Sequence, residues 1–120
     1  MKSVEFAHNS EVQDFIKFVF DKLHIPGSIP SIEYAQQKEG PDQVRTGYYD
    51  PNTNKLWVYT GKRNLIDIMR TIAHELAHHK QNADGHTTAN VDVADLESQA
   101  DMAAGMIVKI YVRQRPEIIQ

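Results

Sequence analysis

From Asn64 to Asp84 the chain contains neither proline nor glycine. Leu65, Ile68, Met69, Ile72 and Leu76 recur there at the spacing of one helical face, so the stretch is expected to be a single amphipathic helix. Within it lies His74-Glu75-Leu76-Ala77-His78. Residues four apart on a helix stand one above the other, which brings the two imidazoles to one face, away from the middle of the apolar stripe. Glu75 sits roughly 100° around the axis from His74. That angle makes it an awkward third ligand beside them but leaves it able to reach a water held by a shared cation. Two imidazoles with one neighbouring carboxylate are what zinc-dependent hydrolysis requires.

A catalytic zinc takes a third protein ligand and keeps one position open. One straight helix cannot wrap the ion, so that ligand has to come from elsewhere. Glu97 lies 19 positions after His78 on a second expected helix, with Asp101 one turn further along the same face. From there Asp101 can accept a hydrogen bond from the non-ligating nitrogen of a zinc histidine and fix its tautomer. Asp84 and His86 are alternative third ligands. Asp84 stands six positions after His78, but Gln81 occupies the place where a sharp turn at that spacing needs glycine.

His74-Glu75-x-x-His78 followed by Glu97-x-x-Ala100-Asp101-x-x-Ala104 resembles the gluzincin zinc metallopeptidases, and in size the very small soluble minigluzincins among them. The resemblance implies an α+β, minimal zincin-like domain. Its order is an N-terminal helix, a small three-stranded, largely antiparallel sheet, the metal helix, and a helix carrying the third ligand. It implies one zinc ion on His74, His78 and Glu97, Glu75 as general base, and Asp101 as partner of His74. The implied activity is endopeptidase hydrolysis of a peptide or protein substrate. The other reading of the same ligands is a zinc-binding regulatory or interaction module without turnover. In gluzincins the strand before the metal helix borders the cleft, so the resemblance implies that a substrate pairs with a free edge of the 55–60 strand. In minigluzincins the C-terminal segment can cover the cleft, which implies a place over the metal for residues 114–120, with Glu117 in reach. For stabilising an oxyanion, His86, Tyr48, Tyr49 and Tyr59 are candidate residue types, and the sequence singles out none of them.

The rest of the chain supplies a scaffold for one domain spanning 1–120. Asn9 or Ser10 is expected to cap a first helix running to Leu23, with Val12, Phe15, Ile16, Val19 and Leu23 buried. Strands are expected over 31–37, 44–49 and 55–60, with a loop from Lys38 to Gln43 and a hairpin turn at Asp50-Pro51-Asn52-Thr53-Asn54. Trp57, if its strand is interior, reads as a core aromatic. Asp92 is the expected cap of the last helix, whose buried stripe is Leu96, Ala100, Ala103, Ile107, Val108 and Tyr111. The tail from Arg115 is expected to be irregular.

Composition narrows the class further. A net charge of −3 and no basic block argue against a nucleic-acid partner. The absence of cysteine excludes thiolate ligands and disulfides. No apolar run approaches the roughly 20 residues of a membrane span. Charges at Lys2 and Glu5 break any signal-peptide core, so the expected location is cytoplasmic.

Overall fold

A computed structural model describes residues 9–38 and 45–119. Helix α1, Ser10–Leu23, starts where the Asn9 side chain accepts the Val12 amide at 3.0 Å. It ends at His24, whose left-handed backbone (φ 53°) turns the chain and lets the Ile25 amide reach the Phe20 carbonyl at 3.0 Å. Three short strands follow: β1, Ser31–Ala35; β2, Gly47–Asp50; and β3, Lys55–Tyr59. Helix α2, Leu65–Ala83, is capped by Asn64, and α3, Val93–Gln114, by Asp92. The expected loop ending at Gln43 and the expected strand start at Val44 fall largely outside the described residues.

The sheet has the order β1-β3-β2. β2 and β3 form the expected antiparallel hairpin, with Tyr48 opposite Trp57. β3 also pairs with β1, and that pair is parallel, with Ile32 opposite Leu56. The sheet is therefore mixed rather than largely antiparallel. Residues 36–46 separate β1 from β2, enough chain for β2 to land beyond β3 rather than beside β1. The hairpin then returns β3 into the gap, running in the same direction as β1.

This order corrects the expected substrate strand. β3 is paired on both sides and has no free edge, so among the described residues the strand that borders α2 with an unpaired side is β2. It also corrects the place of Trp57. Strand alternation sends Leu56 and Val58, both fully buried, toward the helices and leaves Trp57 half-buried on the opposite face. There its ring lies between those of Tyr48 and Tyr59, with centroids 5.9 and 6.4 Å away.

The core lies between the inner face of the sheet and the three helices. Val12, Phe15 and Val19 of α1, Ile68, Met69, Ile72 and Leu76 of α2, and Ile107, Val108 and Tyr111 of α3 meet in it. Ala100 and Ala104 are buried on α3, where small side chains let it lie close to α2. Tyr111 is fully buried, edge-on to Phe15 at 5.0 Å, and its hydroxyl donates to the Glu11 carboxylate at 3.2 Å. Through that side chain the C-terminal end of α3 is fastened to the start of α1.

The tail is not irregular. Pro116–Ile119 form one 3-10 turn, and Ile118 packs on the core. Gln114 ends α3 about 25 Å along its axis from Glu97, at 1.5 Å per residue. The turn that follows therefore leaves Glu117 at the other end of the helix from the histidine pair. Among the described residues, no helix is long and apolar enough to cross a membrane.

Candidate metal centre

Helix α2 presents His74 and His78 on its solvent side, their ring centroids 4.7 Å apart. The first turns of α3 bring Glu97 against both. Glu97 Oε2 lies 3.2 Å from His74 Nε2, and Glu97 Oε1 lies 2.9 Å from His78 Nε2. The two Nε2 atoms are themselves 3.1 Å apart. Donors arranged tetrahedrally around one zinc at ordinary bond lengths are about 3.3 Å from one another. The three separations fit a single shared cation.

The outer partners of the rings strengthen the fit. His74 Nδ1 is 2.8 Å from Asp101 Oδ1. His78 Nδ1 is 2.8 Å from Gln81 Oε1, and the amide nitrogen of Gln81 donates to the Leu96 carbonyl at 2.9 Å. That second bond fixes which way the Gln81 amide faces, so His78 Nδ1 must be the donor. With both Nδ1 atoms donating outward, the two Nε2 atoms are the ring nitrogens left to face each other and the Glu97 carboxylate, where all three could act as donors to one cation. Among the described residues, His74, His78 and Glu97 form the one group of three or more His, Asp or Glu close enough to hold a metal ion.

Glu75 lies beside this group and is buried, 6% exposed. Burial, then the neighbouring charge of Glu97, pushes its carboxyl up to about 8; Arg45 opposes the shift and Asp101 adds to it. β2 lies directly over it. A Cβ built on Gly47 would stand 2.6 Å from Thr71 Cγ2 and 3.3 Å from Glu75 Cγ, so only glycine lets the strand backbone come this near the helix. The resulting cleft, about 370 Å³, is lined by Gly47, Tyr48 and Tyr49 of β2, by the α2 histidines, and by Val93 and Leu96 of α3. A larger recess of about 500 Å³ lies on the outer face of the sheet beside Trp57 and includes none of the three donors.

The structure thus brings together His74, Glu75, His78, Glu97 and Asp101. It separates the alternatives. α2 continues through Ala83, and Asp84 at its end pairs with Lys80 at 2.9 Å. Neither Asp84 nor His86 joins the donor group, and Glu117 does not either. Of the residues considered for an oxyanion, Tyr48 and Tyr49 line the cleft whereas Tyr59 and His86 do not. The Tyr49 hydroxyl is shared with His79 Nδ1 at 3.0 Å. His79, next to His78 in sequence, packs against Tyr49 and Phe20, and its buried Nε2 has no hydrogen-bond partner among the described residues. Gln81 and Arg45 were not singled out as site residues by sequence reasoning. The signal for Gln81 was its place three residues after His78, on the same helical face; Arg45 carried none.

No protein-family model, no curated protein and no solved structure matches the chain.

Proposed function

We propose that the chain is a zinc-dependent metallopeptidase of gluzincin type that hydrolyses peptide bonds. The observation that carries this reading is the convergence of two Nε2 atoms and the Glu97 carboxylate within 3.2 Å of one another, with the buried Glu75 carboxyl alongside. His74, His78 and Glu97 would hold the ion, and Asp101 and Gln81 would hold the two rings in the tautomer that ligates. Bound there, zinc supplies Lewis-acid polarisation of a carbonyl and activation of water.

Glu75 performs the proton transfers. Its carboxylate accepts the proton of the attacking water and passes it to the leaving amine. A burial-raised carboxyl suits both halves, since an acid–base group works best when its pKa lies near the working pH. The open side of β2 offers amide and carbonyl groups to an extended peptide, and Gly47 holds that strand close over Glu75. A purely structural metal site has no use for a carboxyl in this position.

The test is Glu75→Gln in zinc-loaded protein, with elemental analysis and a peptide-library digest. Zinc should stay at one per chain while turnover falls by about 10²–10⁴-fold. Equal turnover in the variant refutes the mechanism. If the zinc-loaded wild-type chain cuts nothing in the library, the binding module without turnover replaces the enzyme.

A further inference from the structure

The cleft does not end at Glu75. A second recess, about 410 Å³, shares Arg45, Gly47, His74 and Glu75 with it, and its lining adds Arg63 and Arg70. These arginines come from the residues before β2, from the link between β3 and α2, and from α2 itself. Three carboxyl groups share the recess: Asp67, Glu75 and Asp101. Asp101 is bound to His74 Nδ1 at 2.8 Å, and Asp67 lies where its charge bears on Arg63.

Arg63 is a fixed part of the wall. Its guanidinium donates to the Tyr59 carbonyl at 2.7 Å, the Asp67 carbonyl at 3.0 Å and the Thr71 hydroxyl at 2.7 Å. Arg70 is exposed on α2 and, among the described residues, forms no ion pair. Arg45 lies close enough for its charge to act on Glu75 and lines the metal cleft as well as this recess. The lining of the metal cleft adds Thr88, Val93 and Leu96, and Arg45 is its one arginine or lysine among the described residues. Arg63 and Arg70 thus belong to the recess alone, and Arg45 is common to both.

We propose that this recess is an anion subsite that takes a carboxylate of the bound peptide, with Arg45 and Arg70 contacting it and Arg63 bracing the wall. The proposal rests on the peptidase reading and adds a substrate class: peptides carrying a carboxylate within a few residues of the reacting bond, on one side of it. An aspartate or glutamate side chain and a free C-terminus share that chemistry. Guanidinium groups suit it because their paired N–H donors match the two carboxylate oxygens.

The test uses zinc-loaded full-length chain and fluorescein-labelled octapeptides that carry Asp or Asn at each position in turn, each made with a free and an amidated C-terminus. Anisotropy gives affinity, and chromatography gives cleavage. Carboxylate peptides should bind about tenfold tighter than their neutral matches, the scale of one charge-assisted hydrogen bond. The Asp/Asn contrast identifies a side chain as the source, and the acid/amide contrast a terminus. Combined Arg45→Gln and Arg70→Gln should erase the contrast while zinc content stays at one per chain. Combined Lys109→Gln and Arg113→Gln, two exposed positions toward the far end of α3 and an equal change of charge, should preserve it. A chain that cleaves without regard to either contrast overturns the subsite and leaves the peptidase reading standing. Arginine-dependent binding without cleavage supports the subsite and overturns the peptidase. A zinc-loaded chain that binds none of the set overturns both, as does a contrast that survives in the double variant for the subsite alone.

Discussion

Gly47→Ala tests how tightly β2 is laid on α2. The added Cβ would lie 2.6 Å from Thr71 Cγ2, 3.1 Å from the Trp57 carbonyl oxygen and 3.3 Å from Glu75 Cγ. Carbon atoms pack at about 3.5–4.0 Å, so something must move by about 1 Å. If β2 lifts, the cost is that of overpacking, about 1–3 kcal/mol. If Thr71 rotates instead, its hydroxyl leaves the 2.7 Å bond from Arg63, a loss of about 1.5–3 kcal/mol for a charged donor. Both routes give about 2 kcal/mol. Thr71→Ser removes Cγ2 and keeps the hydroxyl, so in that background Gly47→Ala should cost under about 1 kcal/mol. Urea unfolding of the four chains of this cycle, in chelator at one pH, measures the difference. The candidate ligands sit on α2 and α3, so zinc content should not change. An equal cost of Gly47→Ala in both backgrounds refutes the reasoning.

Three further outcomes are expected. Zinc at about 100 times its Kd should stabilise the chain by about 2.7 kcal/mol, or about 10 °C in Tm, and His78→Ala or Glu97→Ala should abolish the shift in a melting experiment. Asp101→Asn should weaken zinc binding by about 10–100-fold in a competition titration with a chromophoric chelator, because it loosens the orientation of His74. In metal-free protein the Glu75 carboxyl stands near 8 against an ordinary 4.5, so between those values the folded chain holds a proton that the unfolded chain has lost. Stability should therefore fall as pH rises through that window, by on the order of 1 kcal/mol per unit. Glu75→Gln should remove that slope in urea unfolding between pH 5 and 8. His79, shifted down by burial, contributes with the opposite sign in both chains.

The parts of this molecule legible in its sequence are those governed by short spacing. The helix from Asn64, the two imidazoles a turn apart, and Glu97 with Asp101 a turn apart are all local patterns. So is the cap at Asp92, whose side chain accepts the Ala94 amide at 2.8 Å. What escaped depends on distant segments meeting. The pairing of β1 with β3 rather than β2 joins residues 24 positions apart, Ser31 with Lys55 onward, and no local signal records it. Gly47 reads as an ordinary strand residue until the helix beneath it is known. Arg45, Arg63 and Arg70 are scattered in sequence and gather only in the fold. Trp57 looked like core because it is apolar, yet strand alternation sends it outward beside Tyr48.

Tyr111 gives the metal group an unexpected dependence. α3 works as a lever that is pinned near one end by this tyrosine, between Phe15 and Glu11, and carries Glu97 about 21 Å away at the other. At that length a tilt of about 3° swings the carboxylate by about 1 Å, several times the tolerance of a metal–ligand bond. Loosening the joint between two helix ends that never approach the ion would therefore register as lost affinity for it.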